Sequence, residues 1–95
     1  MIDFYWDEAK NKGNQLKHGL NFEEASTAFY DESAKEYYDP DHSEEEDRFI
    51  LLGMSQKARI LIVCHCYRKS DSVIRIISAR KANKSEQKYY WKEEP

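Results

Sequence analysis

RILIVCHCYRKSDSVIRIISARK, residues 59–81, sets two apolar runs on either side of a polar break. Ile60–Val63 and Val73–Ile77 are rich in strand-forming residues, and RKSD between them carries turn formers. The pattern predicts two strands, over 59–67 and 72–79, joined through 68–71. Each run is apolar on both alternating faces, so the pair belongs in the middle of a sheet covered on both sides. With the turn centred on Ser70, His65 lies opposite Arg75, and Tyr67 lies opposite Val73 on the same face. A slip of one residue pairs Cys66 with Arg75 instead.

Working outward, residues 48–52 read as a third strand, connected through 53–58, and residues 34–38 as a short fourth. The polar loop DPDHSEEED, 39–47, lies between them. NFEEASTAFY, 21–30, has a helical period in Phe22, Ala25, Ala28 and Phe29. Asn21 is its cap, and Glu24 stands at the reciprocal capping position. IDFYW, 2–6, suits an edge strand. Asp7 caps a helix over about 8–17, with Ala9 and Leu16 able to share one face. Gly19 takes the left-handed position that ends it. Asn83 and Glu86 form a cap pair opening a last helix over about 84–93. Of its aromatic residues Tyr89, Tyr90 and Trp91, each is expected in the core, with one or two available to a partner. The order predicts one α+β domain over residues 1–95: a small antiparallel sheet, an N-terminal helix pair and a C-terminal helix.

The formal net charge is −3, which argues against a strongly basic nucleic-acid coat. The charge is divided along the chain. Residues 31–47 hold nine acids against Lys35 alone, whereas residues 68–92 hold eight cations against Asp71 and Glu86. The run Ile60–Cys64 is far too short to span a bilayer, and the start MIDFYWDE lacks the pattern of a signal peptide. Cys64 and Cys66, two apart on a strand, are poorly placed for a mutual disulfide and fit a reducing, cytoplasmic setting.

The chemistry-bearing candidates follow from this frame. His65 interrupts an apolar strand and is either satisfied structurally or used. Arg75 is either a phosphate ligand or a member of a cross-strand ion pair. Arg80 and Lys81 stand where the strand leaves the sheet and a helix is about to begin. A guanidinium, an ammonium and a helix N-terminus so close together make a phosphate site, or else a solvated basic connection. Lys17 and His18 are explained by the negative pole of the helix they end. CHC, 64–66, is not a metal site, because His65 points away from both thiols on a strand. Residues 44–47 read as solubilising carboxylates that repel nucleic acid from that side. Neither a phosphate-cradling glycine loop nor a nucleophile elbow is present.

Three blocks in order, WDEAKNKGNQLKHGLNFEEA, YDPDHSEEEDRFILLG and VCHCYRKSDSVIRIISARKANKSEQKYY, resemble the BrnT family, the toxin half of a bacterial type II toxin–antitoxin pair. The resemblance implies a RelE-like fold and a ribosome-independent, metal-free RNA endonuclease that stops translation. It also implies a BrnA-type antitoxin that neutralises the toxin and represses their operon, with operator DNA contacted only through the complex. No cofactor and no membrane are expected. The charged positions that match are Lys17, His18, Arg75 and Arg80. On this reading Arg75 and Arg80 hold the scissile phosphate, His65 or His18 is the acid or base, and Lys17, Lys81 and Lys84 contact flanking phosphates. The competing expectation is a non-catalytic module whose basic face docks RNA or an acidic protein.

Overall fold

The computed structural model describes residues 2–69 and 72–92. Strand β1 (Asp3–Tyr5) leads into helix α1 (Glu8–His18), then helix α2 (Phe22–Thr27), a 3-10 turn (Ala28–Tyr30) and strand β2 (Lys35–Tyr38). A second 3-10 turn (Pro40–His42) precedes β3 (Phe49–Met54), β4 (Ile60–Arg68), β5 (Val73–Lys81) and helix α3 (Lys84–Trp91). The five strands form one sheet in the order β1-β5-β4-β3-β2. It is mixed rather than wholly antiparallel, because β1 runs parallel to β5. The α1 and α2 helices between β1 and the rest of the sheet supply the crossover that such a pairing needs.

Both faces of the central hairpin are covered. Leu61, Val63, Ile74, Ile76 and Ala79 pack with Leu20, Phe22, Ala25 and Ala28 from the α1–α2 side. Leu52 and Ile62 pack with Ala82 and Tyr90 from the α3 side. Full burial of a side chain such as Phe22 stabilises by about 1.5–3 kcal/mol. The caps follow the sequence closely. Asp7 accepts from the Ala9 and Lys10 N–H groups, Gly19 ends α1 at φ 66°, and Asn83 with Glu86 forms a reciprocal capping box.

The register differs from the first expectation. Cys66 pairs with Arg75, Tyr67 with Ile74 and Arg68 with Val73, while His65 lies opposite Ile76. The turn residues Ser70 and Asp71 lie outside the described residues. An irregularity between Cys64 and His65 leaves Ile77 as an extra residue, since Cys64 pairs with Ser78. Arg75 and Arg80 are an odd number of residues apart, so simple alternation sets them on opposite faces. The bulge rephases β5, and both fall on the α3 face, across from Cys66 and Ile62. Arg80 and Lys81 are also the last two residues of the strand rather than part of a connection.

Helix α1 departs from its expected face. Leu16 is 90% exposed, and the helix packs through Asn11 and Asn14. Polar side chains serve there because they satisfy buried backbone groups. Asn11 accepts from Phe22 N–H at 2.7 Å; Asn14 donates to the Leu20 and Ala79 carbonyls at 2.8 and 2.9 Å and accepts from Ala79 N–H at 3.1 Å. Glu24 also departs: Asn21 caps α2 by accepting from Glu24 N–H, but the Glu24 carboxylate turns inward to Arg59 and Ser55. In α3, Tyr90 is core, whereas Tyr89 and Trp91 are exposed.

Candidate active site

The most concentrated chemistry sits on the α1–α2 face of the sheet, toward the β2 edge. His65 projects from β4 and is fully buried (0% exposed). Phe29 meets its ring edge-on at 4.7 Å between centroids, and Phe49 and Tyr67 lie at 6.2 and 5.4 Å. Its Nδ1 lies 3.0 Å from the Val63 carbonyl, and its Nε2 lies 3.0 Å from Glu36 Oε2. Facing a carbonyl, Nδ1 is the donor of that bond, and at the Nε2–Oε2 contact one proton lies between the ring and the Glu36 carboxyl. The Tyr67 hydroxyl donates to the same Glu36 oxygen.

Glu36 reaches this group from β2, where it pairs with Leu51 of the intervening strand β3. Its side chain is 33% exposed. Oε2 is held by imidazole and phenol, while Oε1 accepts no hydrogen bond among the described residues. Of the pair, Glu36 is the one that reaches solvent, and His65 is sealed behind it. A carboxylate oriented in this way can accept a proton from a hydroxyl, with its opposite oxygen already stabilised. Aromatic rings beside it, including exposed Tyr38 against Phe49 at 5.7 Å, offer stacking surface.

The cations are distributed elsewhere. Arg75 and Arg80 lie on the opposite face of the sheet from His65. Arg80 makes a two-pronged pair with Glu86, both contacts at 2.8 Å. The Arg80 guanidinium holds the Glu86 carboxyl below the usual carboxylate range, overcoming burial, with help from Asn83 N–H. Arg75 is not in a cross-strand ion pair among the described residues; its guanidinium lies over the Tyr5 ring, 5.8 Å from the centroid. The same face carries Arg48 and Arg68, which share Glu46 at 3.4 and 3.0 Å. Burial pushes the Cys64 thiol upward in pKa, so it stays a protonated small hydrophobe.

Lys17 and His18 end α1 on the other side of the sheet, as Lys81 does at the end of β5. Asn14 ties α1 to Ala79, two residues from Lys81 on the same face. Lys84 is exposed in the first turn of α3. The structure thus separates the expected cluster into His65, the Lys17–His18–Lys81 side, the Arg75–Arg80 face and Lys84. Among the described residues no lysine or arginine bonds to Glu36. The sequence reading missed Glu36 and the hydroxyl of Tyr67. An acid in an aromatic edge strand, KEYY, was the available signal, but the identity of its neighbour across two strands was not.

The architecture resembles that of a ribonuclease toxin. The crystal structure of the Brucella abortus ribonuclease toxin BrnT matches with a TM-score of 0.66 and 26% sequence identity, covering 88% of this chain and 100% of that one. The family model for the ribonuclease toxin BrnT of type II toxin–antitoxin systems matches residues 6–86. The chain belongs to this BrnT family. No curated protein gives a significant match. Among the described residues, no helix is long and apolar enough to cross a membrane.

Proposed function

We propose that the chain cleaves RNA without a metal, by transphosphorylation, with Glu36 as the general base. Glu36 Oε1 takes the proton of a ribose 2′-OH, the 2′ oxygen attacks the adjacent phosphorus, and the P–O5′ bond breaks as the leaving O5′ takes a proton from water, Glu36 later returning its proton to solvent. The products are a 2′,3′-cyclic phosphate and a 5′-hydroxyl. His65 and Tyr67 stabilise the carboxylate and fix its direction. The observation that carries the reading is the Glu36–His65–Tyr67 group, bonded together beside the Phe49 ring. A requirement for the 2′-OH selects RNA over DNA without base-specific contacts. Acid–base help contributes about 10²–10⁴ in rate. Cations aimed at the developing phosphoryl charge can add about 10²–10³ for each donor.

In this reading His65 is a positioning residue. Arg75 and Arg80 bind rather than cleave, and Lys17, His18 and Lys81 contact flanking phosphates. A BrnA-type antitoxin neutralises the toxin in the cytoplasm and carries the pair to operator DNA, and RelE-type kinship belongs to the same reading. The test is purified protein and RNA in EDTA, with end-group analysis. Glu36→Gln should lower the rate by about 10²–10⁴ with the fold intact. His65→Gln should lower kcat and displace the pH–rate profile. Parental cleavage by Glu36→Gln would remove the assignment. A non-catalytic module remains the second reading, favoured by the separation of Arg75 and Arg80 from Glu36; total absence of cleavage would select it.

A further inference from the structure

The outer side of α3 combines Lys84, Lys88 and Trp91, at helix spacings of four and three, with Lys92 at its C-cap. These residues and Gln87 border a shallow, open depression. All five are exposed, Trp91 at 65%. The indole is braced at 85° to the buried Tyr90, with 5.0 Å between ring centroids. Among the described residues, Lys84, Lys88 and Lys92 have no carboxylate partner.

Helix stability does not account for this stripe. Lys84 stands in the first turn, where the positive pole of the helix disfavours a cation. Lys84 and Lys88 are like charges four apart, which destabilise a helix by a few tenths of a kcal/mol. Trp91 leaves most of a large apolar surface in water. Local choices that oppose the helix they occupy point to a requirement outside it.

We propose that this stripe is a single-stranded RNA subsite, in which Trp91 stacks on a base and Lys84 and Lys88 contact successive phosphates. The proposal rests on the ribonuclease reading for its choice of RNA. The two ammonium stems are separated by about 6 Å along the helix axis, close to the repeat of an extended strand. Ammonium groups beside an exposed indole meet the two needs of sequence-neutral strand binding: backbone charge and a flat apolar ring. An acidic peptide would use the lysines but gives no role to the braced indole. The matched region of the family model ends at residue 86, so Lys88, Trp91 and Lys92 lie beyond it.

The test uses the full chain carrying Glu36→Gln, so that RNA is not consumed, titrated with a single-stranded octauridylate. Trp91 fluorescence should be quenched on binding; Trp6, the other tryptophan, packs edge-on against Phe22. Adding Trp91→Phe should remove the quench with affinity kept within about threefold. Adding Trp91→Ala should weaken binding about tenfold, as loss of one stacked base predicts. Adding Lys84→Gln and Lys88→Gln together should flatten the salt dependence by about 1.4 in log–log slope, two phosphates at about 0.7 each. A variant with all three sites replaced that binds octauridylate with unchanged affinity and salt slope overturns the subsite, including if it has lost an acidic protein partner. Such a result alongside RNA cleavage by the unmodified chain sinks only the subsite. Quenching and binding without cleavage by the unmodified chain sinks only the nuclease reading.

Discussion

Replacing Asn14 with alanine tests how α1 is held to the sheet. The Asn14 side chain is buried and makes three hydrogen bonds, two to Ala79 across the α1–β5 contact and one to the Leu20 carbonyl beyond the helix end. At about 1 kcal/mol net for each, their loss costs about 3 kcal/mol. A domain of this size has only about 5–15 kcal/mol in total. The melting temperature should therefore fall by about 12–24 °C, taking about 4–8 °C per kcal/mol. Urea titration of the purified variant should give a lower midpoint with an unchanged slope. Asn14→Asp separates hydrogen bonding from volume. It retains an acceptor for Ala79 N–H but sets a carboxylate against two carbonyls, which favours its protonated form in the folded state. Its folded pKa lies above its unfolded value, so its stability must fall as pH rises between those two values. A loss below about 1 kcal/mol for Asn14→Ala, or an Asn14→Asp protein insensitive to pH across that window, would refute the latch.

Gly53→Ala should destabilise by about 1–3 kcal/mol in a urea titration, because a β-carbon there would stand 2.9 Å from the Ala28 carbonyl oxygen and 3.1 Å from Ala34 Cβ. Stability should also fall in acid. Arg59 holds the Glu24 carboxyl low and Arg80 holds Glu86 low; burial raises Asp31, but bonds from Tyr90, Met54 N–H and Ser33 N–H outweigh it. Depressed carboxyls contribute stability above their unfolded values of 4.5 and 3.8 and lose it as pH falls through the folded ones. Urea midpoints near neutrality and in mild acid check this, and a protein that grows more stable below pH 4 contradicts it. Tyr90 should ionise last among the tyrosines, pushed up to about 12 by burial and by its bond to Asp31. Spectrophotometric titration should lose that late component in Tyr90→Phe, and its persistence would show that another phenol was responsible.

Much of the local structure was legible because its causes are local. Asp7, Gly19, Asn21 and the Asn83–Glu86 pair mark helix ends through groups within a few residues of each other. The apolar runs of β4 and β5 marked the centre of the sheet for the same reason: burial on both faces removes the polar half of the alternation. Leu16 and Glu24 show the limit. Neither an exposed leucine nor a buried glutamate can be read from helical spacing, because Ala79, which holds Asn14, and Arg59 decide them from outside the helices.

The sequence by itself determined the element order, the helix caps, the central hairpin and, through three spaced blocks, membership of a toxin family. Only the tertiary structure decided which faces its chemical groups share. Strand pairing through β3 brings Glu36 to His65 across 29 positions of chain, and a single extra residue at Ile77 moves Arg80 to the far side, onto the face that Arg75 already occupies. A period of two assigns faces only while the pairing is regular; one bulge inverts the assignment for everything beyond it, and its position depends on the partner strand.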